Sequence, residues 1–358
     1  MAAMGTPSTD PTTNQAGAAG EDLLGLFAPL VERTHTPRVL EAGAGPGALF
    51  GLDFREGLLK RHYRDGVLVA RAQSVGEKLP LALAAGMLEP VGFDLVALAV
   101  NDITCRRAEP LFFLASIALA DLPATQAADL VKGMTRACLA SGGMAMLGGR
   151  TAALPEVLRS GAADLAGFAV GIVERHKIVT PTAPEAGDCV IALASSGLHA
   201  EGFAIVRRAL DKGGLALGDS PAELEGAGLA QALLAPTRIY GPTVLDLLGR
   251  YRVKRVVKAL AHVKAGGLPR ALADALPAGL GLRAKRDSWT PPPLFGLIAR
   301  AASLDHDEMV HSFNMGIGFV LVVSPHFAKP IMTRLRQAGE RCWLLGRLTQ
   351  GNTPLSWT

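Results

Sequence analysis

Apolar positions divide the first half of the chain into segments with alternating strand and helix patterns. Alternating and β-branched residues predict a strand at 66–73 (GVLVARAQ), and apolar residues at helical spacing predict helices behind it, in EKLPLALAAG and VGFDLVALAVNDITCRR. Further predicted elements are a helix from Glu21 to Arg33, strands at 109–119 and 164–175, a helix ending on glycine at 124–142, and a strand entering a glycine turn at 143–149.

The second half mixes the same two patterns in another order. Its predicted elements are strands at 189–197, 316–323 and 342–349 and helices from Gly202 to Leu210 and at 238–251, 266–276 and 327–338. A proline-punctuated run at 176–188 predicts a domain boundary or a turn just past it. We therefore expect an α+β protein, with a tail and short helix over 1–37, one domain over 38–176 and a second over 177–358.

Composition narrows the class of protein. The 358 residues are 49% hydrophobic and 19% charged, which supplies enough apolar surface for folded domains and excludes wholesale disorder. The net charge of +4 is spread without a basic block, so a nucleic-acid partner is not expected. The longest apolar runs, 111–120 and 315–323, have about half of the ~20 residues that a membrane span needs, so no membrane partner is expected.

The amino-terminal segment and the spacing of the cysteines indicate the cellular compartment. The opening 22 residues have no cationic segment followed by an apolar core, which predicts a disordered tail and not a signal peptide. The cysteines stand far apart without a C-x-x-C pair, which argues against a zinc site or a disulfide framework and favours a reducing, cytoplasmic setting. They are Cys105, Cys138, Cys189 and Cys342.

One short pattern, RVLEAGAGPGALF at 38–50, resembles the first motif of nucleotide-fold methyltransferases, where a strand, a glycine turn and a helix hold adenosylmethionine. That fold needs an acidic residue at the end of the next strand to bind the ribose hydroxyls. The strand at 66–73 ends in Ala-Arg-Ala-Gln, with Gln73 last. The methyltransferase hypothesis therefore depends on the glycine pattern alone.

A set of longer motifs in a fixed order is far more specific. They are VGEKL (75–79), GFDLVALAVND (92–102), AEPLFFL (108–114), GG-x-TA-x-x-P (148–155), DLAGFAVGIVE (164–174), SSGLHAEGFAIVR (195–207), LLAPTRIYG (233–241) and FNMGIGFVLVV (313–323). Through these motifs the chain resembles the AIR synthetase family, the phosphoribosylformylglycinamidine cyclo-ligases of purine synthesis, across roughly residues 38 to 349. The resemblance also assigns the glycine loop at 43–51 to this family, which removes the methyltransferase hypothesis.

The resemblance implies a two-domain fold with mixed or antiparallel sheets, a homodimer formed through the amino-terminal domain, and ATP in a cleft between the domains. In the implied reaction, ATP phosphorylates the formyl oxygen of formylglycinamidine ribonucleotide. An amidine nitrogen then closes the imidazole ring of aminoimidazole ribonucleotide as phosphate leaves. ATP, Mg²⁺ and a phosphorylated small molecule are therefore the expected ligands, and a second copy of the chain is the expected partner.

The resemblance and the chemistry of phosphates select the candidate site residues. Catalytic roles fall to His199 and Asp102, and Asp102 is also the candidate Mg²⁺ ligand because hard cations prefer carboxylate oxygens. Glycine turns, cations and one amide are expected to contact the nucleotide or other phosphates. These residues are Gly45, Gly47, Gly76, Lys78, Asn101, Gly148, Gly149, Arg150, His262, Gly266 and Gly267.

Several candidates also have a plainer structural interpretation. Lys78 could be a solvated lysine at a helix start, and Asp102 could pair with Arg106 one turn along the same helix. His199 could be a solvated loop histidine, and His262 a packed histidine or one in a turn. The residues alone leave these alternatives open.

The chain departs from the family pattern mainly at acidic positions. Family residues are replaced by Arg71, Gln73 and Glu77 in the SGTDGVGTK motif, by Ala115 after PLFFL, by Arg150 and Ala153 in GGETAEMP, and by Lys264 and Ala265 in the second-half glycine turn. Because Mg²⁺ needs carboxylate ligands, these changes weaken the expectation of a metal. Two hypotheses follow: a diverged cyclo-ligase in which arginines neutralise part of the ATP charge, or an inactive relative that binds a nucleotide or another phosphorylated ligand.

Overall fold

The protein is described by a computed structural model that covers residues 23, 25–42, 47–52, 63–251 and 255–358. Within these residues the chain forms two α+β domains, each with one main sheet. A helix at 25–32, α1, and the antiparallel pair of β1 (Val39–Glu41) and β2 (Leu49–Phe50) precede the first main sheet.

The amino-terminal sheet has four strands in the order β3-β6-β4-β5. Its strands are β3 (Gly66–Ser74), β4 (Glu109–Leu119), β5 (Ala145–Ala153) and β6 (Ala163–Glu174), and its helices are α2 (Lys78–Ala85), α3 (Glu89–Thr104) and α4 (Ala124–Ala140). Only β4 and β5 are parallel among these pairs, because α4 forms a crossover between them. Helices α3 and α4 approach closely at Gly92 and Gly133, where a Cβ would overlap the carbonyl oxygens of Leu130 and Glu89.

The carboxy-terminal sheet has six strands in the order β12-β9-β11-β7-β10-β8, antiparallel except for β12 and β9. Its strands are β7 (Cys189–Ala194), β8 (Val257–His262), β9 (Leu280–Ala284), β10 (Ile317–Val323), β11 (Cys342–Gln350) and β12 (Leu355–Trp357). Its helices are α5 (Phe203–Gly213), α6 (Leu229–Leu233), α7 (Gly241–Arg250), α8 (Gly267–Ala275), α9 (Pro293–Ala302), α10 (His306–Ser312) and α11 (Pro325–Gln337).

Two hydrophobic clusters hold these layers. The smaller one packs α7 and α11 onto one face of the carboxy-terminal sheet. The larger one starts behind the amino-terminal sheet, at residues such as Leu95 and Phe113, and continues into the other domain through Leu198 and Phe203. The two domains therefore share buried apolar surface, which fixes the walls of the cleft between them.

The predicted α+β class and the strands and helices at 66–73, 109–119, 124–142 and 164–175 are confirmed. Two local predictions are wrong. The segment 143–149 does not end in a turn, because β5 continues through Gly148 and Gly149 in a region where its register against β4 shifts. In the local strand–turn–helix pattern at 38–50, the helix is wrong, because Leu49–Phe50 form strand β2, which pairs antiparallel with β1, while 43–46 lie outside the described residues.

None of the helices in the described part of the chain has the length and apolar character of a membrane span. The four cysteines are free thiols. The boundary at residue 176, the tail over the first residues and the dimer stay predictions, and Gly45 lies outside the described residues.

Candidate functional site

A cleft of about 490 Å³ lies between the two domains. Its walls come from β3 and the end of α3 on one side, and from β8, α8 and the segment at 179–181 on the other. The polar and charged lining residues are Arg71, Asp102, Cys105, Arg106, Thr180, His262, Lys264 and Asp274. The cations that line the cleft are Arg71, Arg106 and Lys264, and the carboxylates are Asp102 and Asp274. Asp274 forms an ion pair with Arg270, which does not line the cleft.

Asp102 is the centre of the charged network in this cleft. Its Oδ2 accepts hydrogen bonds from Lys264 Nζ at 2.6 Å and Gln73 Nε2 at 2.7 Å, and lies 2.8 Å from Arg71 Nε. Its Oδ1 lies 3.1 Å from His262 Nδ1. Burial alone would raise the pKa of this carboxyl, but the hydrogen bonds and charges of His262 and Lys264 outweigh burial and lower the pKa well below its usual range.

The alternative pairing of Asp102 with Arg106 is wrong. Arg106 donates instead to the carbonyl oxygen of Val179 at 3.2 Å, on the opposite wall of the cleft. Asp102 is paired across the cleft, with Lys264, and across its own domain, with Arg71. Both of these cations stand at positions where the chain departs from the family pattern.

The depressed pKa of Asp102 predicts an acid-sensitive contribution to stability. The ionised carboxylate is stabilised only in the folded state, so its contribution is present above the unfolded pKa and is lost as the pH falls through the lower folded pKa. We expect the unfolding free energy of the wild type to fall more steeply than that of Asp102→Asn below pH ~4. Urea titrations of both proteins across that range measure the difference, and identical slopes would contradict the network.

The residues around Asp102 do not fit Mg²⁺. Two cations and an amide already surround the carboxylate, and the described residues contain no group of three or more histidine, cysteine, aspartate or glutamate side chains that could hold a metal. A hard divalent cation needs several oxygen ligands, and it would be repelled by Arg71 and Lys264. The role expected for Asp102 as a metal ligand is therefore not supported by its surroundings.

Lys78 lies in the domain interface and not on the surface, so its interpretation as a solvated lysine is wrong. Its side chain and that of Asp94 are both 0% exposed, and Nζ lies 2.6 Å from Asp94 Oδ2. The ammonium also donates to the carbonyl oxygens of His199 at 2.8 Å and Ala235 at 2.9 Å. The structure uses its three protons inside the protein, and a phosphate contact would require the ammonium to leave these partners.

The buried pair is a cross-domain connection. Asp94 Oδ1 accepts the backbone N–H of Thr237 at 2.6 Å, so both ions of the pair bond to the other domain. Burial lowers the pKa of Lys78 and raises that of Asp94, while their mutual attraction opposes both changes. Asp94 interrupts an apolar helix as Asp102 does, and that signal could have identified it from the sequence.

Asn101 makes a second connection of this kind. Its Nδ2 donates to the carbonyl oxygen of Arg238 at 2.8 Å, and its Oδ1 accepts the backbone N–H of Tyr240 at 3.0 Å. Both ends of the amide are therefore engaged with the carboxy-terminal domain. Asn101 and Asp102 are adjacent on α3, yet the first joins the domains and the second faces the cleft.

His199 is buried behind the cleft, so the alternative of a solvated loop histidine is wrong. The residue is 1% exposed and has a φ of +62°, and its ring centroid lies 6.2 Å from that of His262. Its Nε2 accepts a long hydrogen bond of 3.4 Å from the N–H of Ser196. Burial, and then the positive charges nearby, lower the pKa of this imidazole well below its usual value, so the ring is neutral at pH 7.

The candidate glycines divide between different places. Gly266 and Gly267, both with positive φ, form the turn from Lys264 into α8, and a Cβ on Gly267 would overlap the carbonyl oxygen of Val310. Gly76, with a φ of +52°, lies in the turn before α2. These glycines shape the chain beside the cleft and beside Lys78, and a phosphate contact from each stays a prediction.

A second cavity, of about 460 Å³, contains the other candidates. Gly148, Gly149 and Arg150 line it together with Ala115 and residues of α1 such as Phe27. Gly47 is absent from the described lining of either cavity. The structure thus separates Arg150 and its glycines from the group of Asp102, His262 and Lys264.

Comparisons with known proteins cover both domains. The family model described as AIR synthase related protein, N-terminal domain, matches residues 59–173, and the corresponding C-terminal domain model matches residues 185–354. A relative named phosphoribosylformylglycinamidine cyclo-ligase, from Desulfitobacterium hafniense, is 39% identical over 346 residues, covering 96% of this chain and 98% of the relative.

Solved structures share the fold at low identity. Thiamine-monophosphate kinase from Stenotrophomonas maltophilia K279a superposes with a TM-score of 0.67 at 16% identity, covering 94% of this chain and 95% of that chain. The hydrogenase maturation protein HypE in complex with ATP superposes with a TM-score of 0.59 at 16% identity, covering 93% and 90%. At this identity the likeness concerns the fold alone.

Proposed function

Because the chain belongs to the AIR synthase family, we propose that it is a phosphoribosylformylglycinamidine cyclo-ligase-type enzyme of purine synthesis that holds a phosphorylated ligand in its interdomain cleft. The observation that carries this proposal is the similarity to a cyclo-ligase along both domains, at 39% identity over 96% of the chain. The inactive relative is the less favoured hypothesis, because the comparison is with proteins named as ligases.

The charge of the cleft supports a polyanionic ligand. Arg71, Arg106 and Lys264 line the space, and the side chains of Arg71 and Lys264 are 48% and 29% exposed, so ligand atoms can reach both. Cations of this kind neutralise phosphate oxygens and position them by charge-assisted hydrogen bonds. Formylglycinamidine ribonucleotide and ATP both carry phosphates that fit this chemistry.

ATP is the proposed source of the phosphoryl group. Transfer to the formyl oxygen converts that oxygen into a leaving group, the amidine nitrogen forms the new C–N bond, and the C–O bond breaks as phosphate leaves. This chemistry depends mostly on positioning and charge neutralisation. A structure of HypE with ATP bound in the same fold supports nucleotide binding here.

The side chains around Asp102 suggest separate roles. Asp102 is the proposed positioning residue, because its two oxygens orient Lys264, Arg71 and His262. His199 is a neutral, buried imidazole beside His262, so its proposed role is to position the His262 ring and not to contact the ligand. Its ring lies behind that of His262, so we place it next to the ligand pocket and not within it.

The homodimer and the cytoplasmic location belong to the same proposal. Leu68 on β3 and Phe168 on β6 are 56% and 40% exposed, on the face of the amino-terminal sheet that the described helices leave uncovered. An exposed apolar sheet face supports association of two copies through this domain. The free thiols agree with a reducing compartment.

A phosphate-release assay tests the proposed activity. We expect the protein to release phosphate from ATP only when formylglycinamidine ribonucleotide is present, with one aminoimidazole ribonucleotide formed for each phosphate. His199→Ala should lower kcat more than it changes KM, because the buried imidazole is assigned to positioning His262 and not to substrate binding. Tight ATP binding without substrate-dependent release would instead support the inactive relative.

A further inference from the structure

Four nitrogen donors surround the carboxylate of Asp102, where the family resemblance implies a metal ion instead. Lys264 Nζ, Gln73 Nε2 and Arg71 Nε all lie within 2.8 Å of Oδ2, and His262 Nδ1 lies beside Oδ1. Of the two carboxylates that line the cleft, Asp102 is the one that bonds to cations of the cleft, with three nitrogen atoms around Oδ2 and one beside Oδ1.

Lys264 is placed to reach a ligand. Its side chain is 29% exposed and lines the cleft, and its backbone precedes the glycine turn that leads into α8. An ammonium has three protons, and within the described residues Lys264 donates one of them, to Asp102. Two protons therefore remain for phosphate oxygens, in a position fixed by the carboxylate behind.

We propose that the Lys264 ammonium, held by Asp102, takes the place of a divalent cation, so that the cleft binds its phosphorylated ligand without Mg²⁺. The inference rests on the proposed function, because it concerns the ligand of the same cleft. A carboxylate-anchored ammonium presents positive charge to a phosphate as a carboxylate-anchored metal does, although with one charge instead of two. Arg71 and Arg106 supply the rest of the neutralising charge.

Calorimetric titration of ATP into the full chain, once with Mg²⁺ and once with EDTA, tests this inference. We expect binding in EDTA that is as tight as binding with Mg²⁺ or tighter, since Mg²⁺ neutralises the phosphates that the cleft attracts. Binding that requires Mg²⁺ would overturn the inference and leave the proposed function standing. Absence of binding in both buffers would overturn both.

Variants at Lys264 separate the ammonium from the fold. Lys264→Met should weaken ATP binding in EDTA by roughly tenfold or more, because a charge-assisted contact is lost, while Lys264→Arg should retain most of it. Urea unfolding of each variant shows whether the protein is still folded. Equal affinities of folded Lys264→Met and the wild type would overturn the inference.

A reciprocal pair of substitutions supplies a gain-of-function test. Gln73→Asp with Lys264→Thr removes the ammonium and gives Asp102 a second carboxylate neighbour, at the two positions where the chain departs from the family's acidic and hydroxyl residues. We expect ATP binding by this double variant to become stronger with Mg²⁺ than with EDTA. Metal-independent binding by the double variant would contradict the role assigned to Lys264.

Discussion

Replacing Asp94 by asparagine is expected to lower the unfolding free energy by about 3–5 kcal/mol, because it leaves the Lys78 ammonium buried without its counter-ion. Both side chains are 0% exposed, so no water can compensate for the lost charge. Asparagine can still accept the N–H of Thr237, so the change isolates the charge from this hydrogen bond. Urea unfolding followed by circular dichroism measures the loss.

An exposed ion pair of the same residue types provides the control. Lys132 and Asp129 lie 2.7 Å apart with side chains 49% and 39% exposed, so Asp129→Asn should lower the unfolding free energy far less than Asp94→Asn does. Removing both buried ions, in Lys78→Met with Asp94→Leu, should recover part of the loss seen in Asp94→Asn. An Asp94→Asn protein as stable as the wild type would show that the pair does not hold the domains together.

Removing two cations of the cleft is expected to have the largest effect on ligand binding. Arg71→Ala with Arg106→Ala should weaken the binding of ATP by at least roughly 100-fold, since each charged hydrogen bond contributes about 1.5–3 kcal/mol. The dependence of affinity on salt should also become less steep, because fewer charges act on the phosphates. Calorimetry of both proteins at low and high salt measures the two effects.

Arg334→Ala is the matched control for this pair. Arg334 is an exposed arginine of α11 that does not line the cleft, so its removal changes the net charge without changing the site. Its affinity for ATP should stay close to that of the wild type. A weakening by Arg334→Ala similar to that by the double variant would mean that overall charge, and not the cleft, attracts the ligand.

Most of the first domain could be predicted from its patterns, because its strands and helices are long and strongly apolar. Strand β6 and helix α4 agree with the predicted elements within one or two residues. The prediction for the second domain was less complete, because α6, β8, β9, α9, α10 and β12 were not assigned. Short elements acquire their structure from neighbours, such as the pairing of β8 with β10, which no local pattern contains.

The sequence predicted which residue types form the site, but not which of these residues bond to each other. The motifs brought attention to Asp102, Lys264 and His262, and the structure places these three together. The same motifs gave no indication that Lys78 is turned into the domain interface by Asp94, or that Arg150 lines another cavity. Which way a side chain points depends on packing between distant segments, and a single sequence does not record it.

The cleft between the domains, and not the cavity beside Arg150, is expected to hold the phosphates of the ligand. A crystal structure of the full chain with a non-hydrolysable ATP analogue tests it most directly. We expect the phosphates to contact Arg71, Arg106 and Lys264. Phosphates bound instead against Gly148, Gly149 and Arg150, with the interdomain cleft empty, would contradict the account.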